Sequence, residues 1–264
     1  MRWRNHHPNL WEYGIEILDL DPLRTLFFRA LLLQHRRRSQ GGPVGNYYEF
    51  GVGDGSSLVA YARALRSLRK VVSIGEADFH LFGFDTFEGL PPTDDVRDQN
   101  PEWWVGRFST SEEEVRRRVL RALPNPLQSG LRLVKGRFET TLTPGLQEQL
   151  ARFPPAIVNV DCDFYSSAKT VLDWISPMLT TGCIVYFDDF WEMWGNPGFG
   201  EPAALRDFGQ TGPGELIPFT RVPTPGWGRA FVFVGHTMPS SSANRGEHAS
   251  VERVTDAGVK ASSP

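Results

Sequence analysis

Cysteine is nearly absent from this chain: Cys162 and Cys183 are the only two among 264 residues. Both fall in or beside apolar stretches rather than in spaced pairs, which excludes a disulfide-stapled scaffold and suits a reducing cytoplasm. Histidine is sparse as well, and His6, His7, His35, His80, His236 and His248 show no metal-ligand spacing with partners. Long apolar runs are missing. The longest, Leu26-Phe-Phe-Arg-Ala-Leu-Leu-Leu33, is interrupted by Arg29 and is too short to cross a bilayer. The N-terminus lacks a signal-peptide pattern, so a soluble cytoplasmic protein is expected. Neither sign of charge dominates: 28 Lys and Arg against 31 Asp and Glu leave a net charge of −3. With a pI near 6.1, nothing steers the protein toward nucleic acid or anionic membranes. No internal repeat is visible.

What the chain does have is a hydrophobic content of 40%, enough for one well-buried α/β domain. Pro22 to Arg38 reads as a helix, with Pro in its first turn, basic residues in its last and an apolar stripe through Leu23, Leu26, Phe27, Ala30 and Leu31. Such a helix could pack on a sheet, act as a lid or make a dimer contact. Strand and helix then alternate. Strands are predicted at 46–50, 81–85, 131–134, 156–160 and 183–187, and helices at 58–69, 112–123 and 169–178. This alternation predicts a doubly wound, mostly parallel α/β sheet. A short helix near 202–208 precedes two further strands, 215–221 and 229–235. The loop between them is too short for a helical crossover, so they form an antiparallel hairpin. The domain is expected over 41–236, with 1–40 as an N-terminal extension and 237–264 as a disordered Ser- and Ala-rich tail.

Two segments carry an unusual density of acids. Asn159-Val-Asp-Cys-Asp-Phe-Tyr-Ser-Ser-Ala168 and Gly182-Cys-Ile-Val-Tyr-Phe-Asp-Asp-Phe190 each read as an apolar strand delivering carboxylates at its C-terminal end. Open parallel sheets place their ligands there. Asp161, Asp163, Asp188 and Asp189 would converge on one rim, where like charges resist ionisation together. A hard divalent cation with oxygen ligands would relieve that repulsion. The alternative is that these aspartates are helix caps and turn residues.

Gly51-Val-Gly-Asp-Gly-Ser-Ser57 forms a glycine-rich βα turn that would bring backbone close to a ligand. A dinucleotide fingerprint needs a third glycine where this chain has Ser56 or Leu58, which weakens a nicotinamide reading. Asp85, at the end of the second strand, stands where such folds bond ribose hydroxyls, or simply caps its own turn. Glu76 competes for the ribose role if the second strand is instead 71–74.

Five co-linear motifs together resemble the macrocin O-methyltransferase family: Glu49-Phe-Gly-Val-Gly-Asp-Gly-Ser56, Phe84-Asp-Thr-Phe-Glu-Gly-Leu-Pro91, Leu133-Val-Lys-Gly-Arg-Phe-Glu-Thr-Thr-Leu142, Asp161-Cys-Asp-Phe-Tyr-Ser-Ser167 and Asp188-Asp189-Phe190. They run in order over roughly residues 46 to 208. The resemblance implies a class I, Rossmann-like methyltransferase with a seven-stranded sheet ending in a reversed hairpin. It would use S-adenosylmethionine and Mg²⁺ to methylate a hydroxyl of a sugar or glycosylated natural product. By the same resemblance Asp161, Asp188 and Asp189 match metal ligands and Asp163 the general base. Glu49, Gly51, Val52, Gly53, Ser56, Ser57 and Asp85 match the cofactor site, with Gly136 and Phe138 bordering the adenine.

Two departures stand out. The family's Tyr-x-Ser-Thr run is here Phe164-Tyr165-Ser166-Ser167-Ala168, and Phe190 follows the acidic doublet in place of Tyr. Neither removes a carboxylate. The acceptor-choosing regions, 1–40, 92–110 and 191–200, show no match to the family. Their tryptophans, Trp103, Trp104, Trp191 and Trp194, together with Trp227, could stack on an acceptor ring. A catechol-type phenolic methyltransferase shares these implications, whereas an NAD-dependent oxidoreductase and a non-catalytic Rossmann-like binding protein are the rivals from other classes.

Overall fold

The computed structural model describes residues 21–38, 45–72, 79–220, 224 and 226–236. Glu76, the first twenty residues and the tail from 237 lie outside them. β1 (Tyr47–Phe50), β2 (Leu81–Asp85), β3 (Leu131–Lys135), β4 (Ile157–Val160), β5 (Ile184–Phe187), β6 (Gly214–Pro218) and β7 (Arg229–Gly235) form one sheet in the order β3-β2-β1-β4-β5-β7-β6. The first five are mutually parallel, whereas β7 runs antiparallel to both β5 and β6. The seven-stranded sheet with a C-terminal reversed hairpin is thus observed.

Alternation within the strands builds two cores. Tyr47, Leu81, Ile157, Ile184 and Tyr186 face one side, beneath α1 (Pro22–Arg37), α2 (Ser56–Leu68) and α3 (Glu112–Ala122). Tyr48, Phe50, Phe82, Phe84, Val158, Val160, Val185 and Phe187 face the other. After two short helices, α4 (Phe138–Thr141) and α5 (Pro144–Leu150), that second face is covered by α6 (Tyr165–Ile175) and α7 (Gly200–Thr211). Strands buried on both faces read as continuous apolar runs, and β1, β4 and β5 are buried at every position.

α1 is part of this core. Asp21 caps it by accepting from the Arg24 N–H at 3.0 Å, and Pro22 stands at its first position, where no N–H is needed. Its buried Gln34 donates to the main-chain oxygens of Ala156 (2.6 Å) and Gly182 (3.2 Å), tying the helix to the lower edge of the sheet. Of the three uses open to this helix, packing is the one seen. α6 begins four residues earlier than its apolar period predicts, because Ser166 and Ser167 occupy its first turn. It yields to a 3₁₀ turn at Ser176–Met178, which contains Pro177.

Candidate active site

The sheet order reverses between β1 and β4, so the crevice at their carboxyl ends is the place where this architecture accepts ligands. The strand ladders run one residue past each strand end. The N–H groups of Gly51, Asp161, Asp188 and Gly136 donate to Phe84 O, Phe50 O, Val160 O and Asp85 O at 2.9–3.0 Å. The tips of β1 to β5 are thereby held in step. Gly51, at φ +85°, lies so close to Asp161 that a Cβ there would stand 1.6 Å from the Asp161 carbonyl oxygen. The glycine is required by that approach, which brings the first acid of the fourth strand against the glycine turn.

Asp85 organises that turn. Its Oδ2 accepts from the N–H groups of Val52 (2.6 Å) and Gly53 (2.9 Å), and its Oδ1 from Phe87 N–H at 2.6 Å. Three main-chain donors on one carboxylate make it a strong cap, so the turn-capping role is realised. The turn then enters α2, with Asp54 accepting from the Ser56 N–H (2.9 Å) and held by Arg118 at 2.9 Å.

A cavity of ≈ 700 Å³ opens above these tips, within the range of small-molecule sites. Its walls include Gly51, Val52, Gly53, Ser56, Ser57, Asp85 and Phe138 together with Asp161, Asp163, Asp188 and Asp189. Eleven of the thirteen residues singled out from the sequence therefore line a single chamber. Glu49 and Gly136 do not. Glu49 is fully buried beneath the sheet tip, where its Oε2 accepts from the Tyr47 hydroxyl at 2.7 Å. Burial pushes its carboxyl well above the ordinary range; Tyr47 acts against that shift, and Asp188 adds to it.

The acids influence one another strongly. Burial is the main cause of the raised pKa of Asp161, and Asp188 and Asp189 add to it. Asp163 is pushed up to about 7, chiefly by burial, with a hydrogen bond from Asp189 and the Arg107 charge opposing the rise. Asp189 is also raised well above the ordinary range, first by burial and then by Asp163 and Asp188. Each carboxyl thus makes its neighbour harder to ionise, as like charges in one cleft must. Asp188 Oδ1 accepts from the Tyr186 hydroxyl at 2.9 Å. Composed only of carboxyl oxygens, this donor set fits a hard divalent cation in its chemistry. Among the described residues, however, no three side chains of the ligating types are gathered as a coordination set.

Sequence reasoning missed Glu201. Only 1% exposed, it accepts from the Asp189 N–H at 3.1 Å, leaving its other oxygen without a partner. It holds the backbone of the acidic doublet from α7, a long-range contact with no local signal. Also missed were Phe108, Thr110, Arg137 and Glu192 in the cavity wall. Phe108 is half-exposed at φ +67°, an uncommon conformation for a bulky side chain, and is covered by the Arg107 guanidinium at 4.5 Å. Of the five candidate tryptophans only Trp227 lines the cavity. Trp103 packs edge-on against Phe164, while Trp104 and Trp194 are exposed.

A methyltransferase-domain family profile matches residues 48–190. The chain belongs to this methyltransferase family. Comparison with curated protein sequences finds no match. Among solved structures, the chain is similar to the calicheamicin methyltransferase CalS11, with TM-score 0.60 and 22% identity over 84% of this chain and 90% of that one. It is also similar to the O-methyltransferase NovP, with TM-score 0.55 and 22% identity over 78% of each chain. An apo structure of CalS11, described as a TDP-rhamnose 3′-O-methyltransferase, gives TM-score 0.51 and 23% identity over 85% of this chain and 86% of that one. The fold of this methyltransferase is accordingly the class I, Rossmann-like one, and the resemblance seen in the sequence is borne out for family and fold. Among the described residues, no helix is long and apolar enough to cross a membrane.

Proposed function

We propose that this methyltransferase transfers a methyl group from S-adenosylmethionine to a hydroxyl of a small-molecule acceptor, a sugar or a glycosylated natural product. The observation that carries this reading is one chamber lined by both the glycine turn and four aspartates. The cofactor would lie over Gly51, Val52 and Gly53, with Ser56, Ser57, Asp85 and Phe138 around it. Glu49 and Gly136 act behind that wall by shaping the strand tips. The names of the solved neighbours, a sugar-nucleotide 3′-O-methyltransferase and the O-methyltransferase NovP, support an oxygen acceptor. The catalytic domain runs from 41 to 236 with 1–40 as its extension.

The sulfonium already carries its leaving group, so the protein must position the acceptor hydroxyl in line and take its proton. Asp163 is the base. Held near neutral pKa by burial, its carboxylate matches the driving force for proton transfer at working pH. Asp161, Asp188 and Asp189 would hold Mg²⁺, which when bound supplies charge compensation and lowers the pKa of a hydroxyl it contacts.

Calorimetric titration with S-adenosylhomocysteine, in magnesium and again in EDTA with NAD as control, tests the cofactor site. Methyl transfer to a panel of free sugars, phenyl glycosides and catechols then tests the acceptor. Micromolar binding of the homocysteine compound with no NAD binding, followed by methylation of a sugar hydroxyl, is expected. Absence of binding would remove the cofactor site, and methylation confined to catechols would replace the acceptor class.

A further inference from the structure

The segment joining β2 to α3 grips the chain immediately beyond Asp163. Its base is closed like a hairpin, with Leu90 N–H donating to Arg107 O and Gly106 N–H to Leu90 O, each at 2.9 Å. From this loop three side chains reach the three consecutive residues that follow Asp163. Trp103 packs on the Phe164 ring at 5.8 Å, and the Arg97 guanidinium lies over the Tyr165 ring at 3.5 Å. Asp98 meets Ser166.

Asp98 is the central contact. It is 2% exposed, and its carboxylate takes three donors: Ser166 N–H (3.2 Å), Ser166 Oγ–H (2.6 Å) and Thr93 Oγ1–H (2.7 Å). The N-cap residue of α6 is Phe164, which has no capping side chain. Asp98 therefore supplies from another part of the chain the carboxylate that an N-terminal turn would normally draw from its own N-cap, where the helix dipole also favours negative charge.

Asp163 itself is strained. Its φ is +58°, and the Phe164 N–H donates back to Cys162 O across it, which makes a γ-turn of positive φ, the rare and costly form. Strained residues of this kind persist only where surrounding contacts over-determine them. Gly200 closes the other side: a Cβ there would lie 3.3 Å from Asp163 O and 3.6 Å from the Trp103 ring.

We propose that Asp98 is a positioning residue for Asp163: by capping α6 from the acceptor-side loop it keeps the 162–164 turn in its strained form and aims the Asp163 carboxylate into the chamber. The inference rests on the reading of Asp163 as the base. One loop then both walls the acceptor side of the cavity, through Phe108, Ser109 and Thr110, and sets the group that removes the acceptor proton.

Asp98→Asn keeps the volume but offers a poorer acceptor to the Ser166 N–H; Asp98→Ala removes the cap. Both are compared with the parent in hydrogen exchange of the S-adenosylhomocysteine complex and in turnover of the best acceptor from the panel above. Expected for Asp98→Asn are exchange at least about ten-fold faster, confined to 91–107 and 162–168. Its affinity for S-adenosylhomocysteine should stay within about two-fold, and its kcat should fall at least about ten-fold with acceptor KM little changed. Unchanged exchange at 162–168 overturns the contact, and a loss expressed in KM or in cofactor affinity with normal kcat overturns the positioning role. The exchange arm needs no acceptor, so it decides the contact even if the proposed acceptor class fails. Should Asp98→Ala not fold, Asp98→Asn bound to S-adenosylhomocysteine carries the test.

Discussion

Substituting alanine for Gly51 and, separately, for Gly53 should separate a glycine demanded by packing from one demanded by the ligand. Both have positive φ, +85° and +50°, where a Cβ costs about 1–2 kcal/mol. At Gly53 nothing lies within 4 Å of the added carbon, which would project into open space. At Gly51 the carbon would stand 1.6 Å from Asp161 O and 2.6 Å from Asp161 C, both main-chain atoms that no rotamer change can move. The tips of β1 and β4 must then part, breaking the Asp161 N–H to Phe50 O bond of 2.9 Å and adding about 1–3 kcal/mol for buried groups left unpaired. Gly51→Ala should therefore lose about 2–5 kcal/mol, or roughly 4–20 °C in Tm for a chain of this size. Gly53→Ala should lose only about 2–8 °C, yet weaken S-adenosylhomocysteine about ten-fold or more because its methyl enters the cavity. Thermal melts followed by circular dichroism, with calorimetric titration of whichever variant stays folded, measure both. If the two variants melted within about 1 °C of each other, the close approach of the two strand tips would be refuted.

Three further perturbations follow from the same contacts. Asp163 is held near 7 against an ordinary 3.8, so the folded state binds its proton more tightly. The stability it contributes is full below about pH 4 and is lost as pH rises toward 7, an effect of about 4 kcal/mol at most. In EDTA, Asp163→Asn should accordingly melt above the parent near pH 8 and level with it near pH 4, and a variant melting below the parent near pH 8 would contradict the buried charge. Asp85→Ala frees three main-chain N–H groups of the glycine turn and should both destabilise by about 2–4 kcal/mol and abolish detectable S-adenosylhomocysteine binding; calorimetry showing normal affinity would deny Asp85 its organising role. Gly228→Ala would place a carbon 1.9 Å from the Tyr186 hydroxyl, displacing it from Asp188, and turnover should fall at least about ten-fold while the homocysteine compound still binds.

Much of this molecule was legible in the chain itself. The alternation of β-branched and aromatic runs with 3.6-period segments placed all five parallel strands and the closing hairpin to within a few residues, because a strand buried on both faces has few other compositions open to it. The glycine turn and the paired acids were legible for a local reason too: each directly follows its strand, so its position on the carboxyl rim comes with the strand. Asp161, Asp163, Asp188 and Asp189 line one chamber because β4 and β5 are parallel neighbours in register, Val160 beside Phe187.

What the sequence by itself determined was the class of fold, the rim on which a ligand would sit and the residue types that would surround it. Tertiary structure alone decided how each group is used. Asp85, expected as a ribose ligand or a cap, spends its oxygens on three main-chain donors, and Glu49 turns inward to Tyr47 instead of facing the cavity. Glu201 and Asp98 reach Asp189 and Ser166 from 12 and 68 residues away. Such contacts leave no periodic or local trace, since a hydrogen bond between distant segments exists only once the sheet and its helices have brought them together.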